Sequence, residues 1–316
     1  MYGFERRNIL SGLYVYFTGS PRAVLWRDAI STLAHQHGWC VAEDDGSEDL
    51  IERLGSDRPL LILSSLATPS RFVWDGLQVV VVKDTPGAAV QALALDRSRQ
   101  AKLHAAYNGS TLFAQAADMV AGGAIVLDAD ASTLLLPMLG RVAVASDVDT
   151  RSLVEVWHSL DIYRARPPTP GASALWPLDA FKYPVMTPEG QLDLGGAVID
   201  LTGRARTLVY GPYTHLSPGL WEVEVKVLVE PDGGGAQLRF EWGCNPDYVG
   251  TSASIARTGV YRICLQRAWQ AVGPSEMRVT TIQPHFHGRF ELLSVEVRLV
   301  SGLSPDGAEM SNGMDC

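Results

Sequence analysis

Lys83 and Asp84 close a run of four valines in LQVVVVKDTPGAAVQALALDRS, residues 77–98. The run reads as a buried strand, and the proline, glycine and alanines after it read as the start of a helix. A strand that carries charged side chains to a helix N-terminus is a place where α/β proteins hold phosphates, because the first N–H groups of the helix lack partners. Thr18-Gly19-Ser20-Pro21-Arg22, after the apolar LYVYF, is a second such place. Ser20, Arg22 and Lys83 are therefore candidate anion-holding residues. The plainer reading of both segments is a strand-to-helix turn with proline at the first helical position and a solvated charge pair.

Other chemistry-bearing residues are sparser. His285-Phe286-His287 places two imidazoles on one face if the segment is a strand, which is half a zinc site without a third ligand; no metal is expected. His35 and His37 stand two apart near a helix end and do not share a face. No GxSxG elbow occurs. Cys244 and Cys264 could meet across two strands, but the four cysteines form no CxxC pair, and reduced buried thiols are the expected state.

The elements that must position these groups fall into two halves. Up to about residue 165, strand and helix patterns alternate. LYVYFTG (13–19), WCVAEDD, PLLILSSL (59–66), LQVVVV (77–82) and GGAIVLDAD (122–130) read as strands. RAVLWRDAISTLAHQHG (22–38), SEDLIERLG, GAAVQALALDRSRQAKLHAAY, STLLLPML and DTRSLVEVWHSL read as helices. Continuous apolar strands between helices imply a parallel sheet covered on both faces, with ligands beyond its carboxyl ends. RARPPTPGASALWP (164–177) reads as a proline-rich linker. Beyond it VIDLTG, RTLVYGPY, LWEVEVKVLVE, AQLRFEWG, GVYRICLQ, MRVTTIQ and RFELLSVEVRLV are strand-like, and WEVEVKV and SVEVRLV alternate strictly. The expected fold is thus a two-domain α/β plus all-β chain. Residues 1–165 form the α/β domain, 166–178 a linker, 179–301 an antiparallel β-sandwich of jelly-roll type, and 302–316 a disordered tail.

The totals narrow the function. The chain has 316 residues, 47% of them hydrophobic, enough for two cores. Its net charge of −9 and the lack of a basic stripe argue against nucleic acid as a partner. No apolar run reaches the length of a membrane span, and the start lacks a cleavable leader pattern, so a cytoplasmic location is expected.

Segment order in the first half resembles the sulfotransferases that use 3′-phosphoadenosine 5′-phosphosulfate, proteins with a P-loop-like α/β fold. In that family a first strand runs into (S/T)xP(K/R)SG(T/N)TW, which cradles the 5′-phosphosulfate; here LYVYF runs into Thr18-Gly19-Ser20-Pro21-Arg22-Ala23-Val24-Leu25-Trp26. A later family strand ends in K(S/T)H, whose histidine is the base; here LLIL ends in Ser64-Ser65-Leu66. Another ends in RDPRDVxxS, which grips the 3′-phosphate; here VVVVKDTPGAAVQ aligns Lys83 with the arginine and Gln91 with the serine. IVLDADAS stands where the family carries a YEDL-like stretch. The resemblance spans about residues 10–145 and implies that donor as cofactor. Val24 and Leu25 replace the small loop residues, and neither Ser65 nor Leu66 is a base, so a degenerate site is expected. Asp128-Ala129-Asp130 also resembles the metal-binding DxD of nucleotide-sugar glycosyltransferases; as loop acids the two aspartates would instead cap the next helix.

LVYGPYTHLSPGLWEVEVKV resembles the strand and turn pattern of galactose-binding-like carbohydrate modules. Aromatic faces stack on sugar rings. Tyr213, His215, Tyr248 and Trp269 fall near turns and are the candidate sugar contacts, whereas Trp221 and Trp242 lie on regular strands and belong to the core. The expected function is a non-catalytic or weakly active sulfotransferase-like accessory protein of bacterial glycan or polysaccharide synthesis. Its expected partners are a saccharide or polysaccharide and another protein. The alternatives are an active sulfuryl or glycosyl transferase acting on a saccharide, and a structural assembly protein.

Overall fold

A computed structural model describes residues 12–19, 21–47, 50, 58–66, 77–94, 98–144, 158–165, 167–184, 198–231 and 233–302. The chain divides into two compact units, Met1–Pro167 and Pro168–Cys316.

In the first unit five strands form a wholly parallel sheet: β1 (Gly12–Phe17), β2 (Cys40–Glu43), β3 (Leu60–Ser64), β4 (Gln78–Lys83) and β5 (Ile125–Asp128), in the order β2-β3-β1-β4-β5. All six residues of β1 are buried, because both faces of the sheet are covered. Leu13, Val15 and Phe17 join Trp26, Ile30 and Ala34 of helix α1 (Ala23–Gln36) in one core. Tyr14 and Tyr16 point the other way and pack with Leu112, Ala116 and Met119 of a later helix. The chain leaves β1 for the β2 edge, returns through β3, and then crosses to β4 on the far side of β1. The strand order therefore reverses beside β1, where open α/β sheets bind ligands.

Two expectations for this unit are corrected. The helix expected through residues 87–107 is two helices, α2 (Pro86–Leu93) and α3 (Arg99–Ala121), each started by a side-chain cap, Thr85 Oγ1 to the Ala88 N–H and Ser98 Oγ to the Ala101 N–H. STLLLPML is not a helix but the hairpin β6 (Thr133–Leu136) and β7 (Gly140–Ala143). Leu134 and Leu136 are buried alternately, and the turn holds Met138 at φ 58° and Gly140 at φ 96°. The alternation meets the apolar side of α1, and Pro137 lacks the N–H a helix would need. SEDLIERLG lies almost wholly outside the described residues. So does most of DTRSLVEVWHSL, whose described end enters a 3-10 helix, His158–Tyr163.

The second unit is a β-sandwich of two antiparallel sheets. One has the order β10-β15-β12-β13, from β10 (Thr207–Leu216), β12 (Ala236–Cys244), β13 (Asp247–Ile255) and β15 (Gly273–Thr281). The other has the order β14-β11-β16-β8, from β8 (Ser173–Trp176), β11 (Gly219–Pro231), β14 (Gly259–Trp269) and β16 (Gly288–Ser301), with β9 (Val198–Asp200) also on β16. Trp221, Val223, Val225, Val227 and Val229 of β11 are fully buried at period two, each valine worth roughly 2 kcal/mol on leaving water. They share the interior with Phe240, Trp242, Met277, Val279, Phe290, Val295 and Val297. Two strands were not visible in the sequence. β8 lies inside the stretch read as linker and pairs with β16. β13, DYVGTSASI, is an edge strand whose partner among the described residues is β12. In the described residues no helix is long and apolar enough to cross a membrane.

Candidate functional site

The reversal point of the parallel sheet holds Thr18, Gly19, Lys83 and Asp84. The Asp84 N–H donates to Thr18 Oγ1 across the gap between β1 and β4. Lys83, only 7% exposed, donates from Nζ to the carbonyls of Tyr163 (2.6 Å) and Ala165 (3.1 Å), with the Phe113 ring 5.5 Å away. Its charge is thus spent on backbone oxygens of the unit's own last segment. Gly19 has φ 73°, and a Cβ there would touch Leu93 and Leu112; one at Gly109 would touch Leu160 and Leu93. Arg22 donates to the Asp130 carbonyl at 2.7 Å, and Gln91 is exposed on α2. Ser20 lies outside the described residues. Arg22 and Lys83 follow or end strands at the carboxyl side of the sheet, but hydrogen bonds direct them to different carbonyls.

A denser set of polar and aromatic groups lies on the outer face of the β10-β15-β12-β13 sheet. Glu276, Arg278 and Thr280 of β15 alternate with the buried Met277 and Val279 and so share that face. In register, Pro212 of β10 stands opposite Glu276, Glu276 opposite Gly243 of β12, and Gly243 opposite Tyr248 of β13. The next row is Tyr210, Arg278, Glu241 and Gly250.

Tyr213 is the extra residue of a β-bulge: Pro212 pairs with Glu276 and Thr214 with Ser275, leaving Tyr213 between them at φ 67°. Such backbone is costly for a bulky residue, and a bulge re-aims the side chain it carries. Here Tyr213 donates from its hydroxyl to Glu276 Oε1 at 2.8 Å. Tyr248 donates to Glu276 Oε2 at 2.5 Å, reaching across β12 at the one position in that row without a side chain, Gly243. Arg278 Nη2 donates to the same oxygen at 2.7 Å and lies over the Tyr248 ring, 4.4 Å from its centroid. Lys182 joins β10 by backbone bonds to Tyr210, and its Nζ stands 5.8 Å and 5.9 Å from the Tyr210 and Tyr213 rings.

The charge states follow from this geometry. Burial works against the Glu276 carboxylate, but the donors Arg278, Tyr248 and Tyr213 outweigh it and hold its pKa below the usual range. Burial first, and then the hydrogen bond to Glu276, push Tyr213 upward and Tyr248 up to about 12. The bond to Glu276 raises Arg278. At neutral pH the cluster is one carboxylate held by two phenol donors and a guanidinium. His215, two residues past Tyr213, is kept neutral, because burial lowers its pKa to about 4.

Of the four expected sugar contacts, Tyr213 and Tyr248 converge on Glu276, and His215 lies on the same strand as Tyr213. Trp269 is corrected: it is 3% exposed, packs on Trp242 at 4.7 Å and offers no free face. It closes the end of the core, with Arg267 lying over its ring. The imidazoles of His285 and His287 do not share a face; His285 is buried, His287 is exposed, and the segment is a turn before β16. Cys264 is exposed rather than buried, and Cys40, Cys244 and Cys264 are all free thiols. Glu276, Arg278, Lys182 and Gly243 were not singled out by sequence reasoning. The alternation in SEMRVT, with Glu276 and Arg278 opposite Met277 and Val279, was the available signal.

No family model and no curated protein matches the chain. Among solved structures it is similar to TmCBM61 in complex with β-1,4-galactotriose, at 9% identity over 40% of this chain and 86% of that one, TM-score 0.27. It is also similar to the CBM22-1 xylan-binding domain of Paenibacillus barcinonensis Xyn10C, at 12% identity over 46% and 94%, TM-score 0.26. A third is the EclA C-terminal domain, a sugar-binding protein, at 11% identity over 39% and 89%, TM-score 0.27. Likeness at this level assigns no role to any residue.

Proposed function

We propose that the β-sandwich unit binds a saccharide on the outer face of the β10-β15-β12-β13 sheet, around Glu276. The observation that carries this reading is the convergence of Tyr213 and Tyr248 on one carboxylate. A bulge with a costly backbone angle aims the first, and a glycine gap admits the second. Strained backbone that serves a side-chain position is a mark of functional sites. Phenol rings beside a fixed carboxylate and guanidinium match the alternating apolar faces and hydroxyl edges of a sugar.

The α/β unit is proposed as an accessory scaffold rather than a working sulfotransferase-like transferase. Lys83 is held by two carbonyls, and leucines stand around Gly19 where a phosphate would need open backbone. The whole is then an accessory protein of glycan or polysaccharide synthesis.

Affinity electrophoresis tests the saccharide reading. The chain and its Tyr248→Ala variant are run through gels containing soluble polysaccharides, neutral and acidic. Retardation of the parent chain that is lost in the variant supports the reading. Unaltered migration in every gel overturns it.

A further inference from the structure

We infer that the saccharide taken by this face carries an anionic substituent, a carboxylate or a sulfate ester, and that Lys182 is the group that selects it. The inference rests on the saccharide reading above and deepens it. Glu276 and Arg278 satisfy each other through a 2.7 Å ion pair, so their charges cancel locally. Glu241 is likewise paired with Arg239 at 2.9 Å. Lys182 differs. It is exposed, and among the described residues its ammonium forms no ion pair; its contacts are with the faces of Tyr210 and Tyr213. Those rings hold the cation at the edge of the cluster without neutralising it, since a ring quadrupole attracts a cation but carries no net charge. Among the described residues Lys182, Arg239, Arg278, Glu241 and Glu276 give this face a net single positive charge, on a chain whose net charge is −9. A neutral glycan would meet that cation only as a hydrogen-bond donor. An acidic one would be repelled by most of the surface and drawn to this place.

The position also fits. Lys182 lies over the same ring that donates to Glu276, so a sugar against Tyr213 would meet the ammonium beside it. Glu276, only 4% exposed and already accepting from Tyr213, Tyr248 and Arg278, would fix the rings in place, and the ammonium would meet the acidic substituent.

The test is isothermal calorimetry with the full chain against polygalacturonate, chondroitin sulfate and the neutral polymers galactan and xylan, at low and high salt. Lys182→Gln and Lys182→Arg are run beside the parent chain. Binding of either acidic polymer in preference to the neutral ones is expected, weakening with salt, and the two acidic polymers tell carboxylate from sulfate. Lys182→Gln should weaken it roughly two- to fivefold, the range for one exposed charge pair, and Lys182→Arg should retain it. The side chain is exposed, so an unchanged melting temperature in both variants confirms that folding is unaffected. Equal binding of neutral and acidic polymers, unaltered by Lys182→Gln, overturns the inference but leaves the saccharide reading in place. Binding of none of the four overturns both.

Discussion

Tyr213 and Glu276 are 63 residues apart in sequence and 2.8 Å apart between Oη and Oε1. Tyr213 is also the one residue of its bulge with no partner on β15. The strand gives up a regular pairing there, and the phenol that results is aimed at a carboxylate on the neighbouring strand. Such an arrangement has consequences for stability as well as binding.

Removal of either phenol hydroxyl should be felt. Tyr213→Phe and Tyr248→Phe keep the ring but take one donor from Glu276. Each is expected to lower unfolding stability by about 1.5–3 kcal/mol, the usual range for a hydrogen bond to a charged group. Urea unfolding followed by tryptophan fluorescence measures it. A loss near zero in both variants would show that solvent replaces the donors without cost.

Glu276 should make the sandwich acid-sensitive. Its folded pKa is depressed, so its contribution is fully present above the unfolded carboxylate value of about 4.3 and is lost as pH falls through the lower folded value. Melting temperature should therefore drop below about pH 4.5 in the parent chain. Glu276→Gln should be less stable at neutral pH and show a shallower drop in that range.

His215 acts in a different window. Its folded pKa of about 4 lies below the unfolded value of about 6.5. Between these values the unfolded chain binds the extra proton, so stability falls as pH is lowered from 6.5 to 4. His215→Gln should flatten that slope and leave the steeper loss at lower pH, and melting curves from pH 3 to 7 separate the two.

Gly243 should tolerate no side chain. A Cβ there would collide with Arg267 Nη1 and with the backbone of Asp247. Gly243→Ala is expected to cost about 1–3 kcal/mol, as overpacked sites do, and to weaken any glycan binding by displacing Tyr248. Gly250→Ala, on an exposed edge position but close to the Phe240 carbonyl, gives a comparison for stability without reaching Glu276.

In the α/β unit, Lys83→Met would leave the Tyr163 and Ala165 carbonyls without their donor. A loss of about 1–3 kcal/mol is expected. Adenosine 3′,5′-bisphosphate should not raise the melting temperature of the parent chain, because ligand binding to the folded state always raises it and the lysine is already engaged. A saturable upward shift would restore the donor-site reading.

Much of the architecture was legible along the chain. The apolar runs LYVYF, LLIL and VVVV could only be strands covered on both faces. The strict alternation of WEVEVKV and SVEVRLV could only be strands with one face buried. What local pattern misread was decided by packing. STLLLPML has the composition of a helix, yet its leucines are needed alternately against α1. DYVGTSASI has no strand signature of its own and is a strand because β12 offers it an edge.

The candidate site belongs almost wholly to the tertiary structure. Tyr213 and Tyr248 were visible as aromatics near turns, because turns expose what strands bury. Their meeting at Glu276 was not visible, since it depends on which strands are neighbours and on their register, and a shift of one residue would turn Glu276 into the core. Lys83 likewise carries a charge that composition reports, while the carbonyls that consume it lie 80 and 82 residues later. Sequence alone determined which faces of the regular strands could be buried, since that follows from local polarity and period, whereas Trp269, Cys264 and Lys83 went against local polarity or position. Only the fold decided which polar groups face each other, because that pairing is set by long-range packing with no local mark.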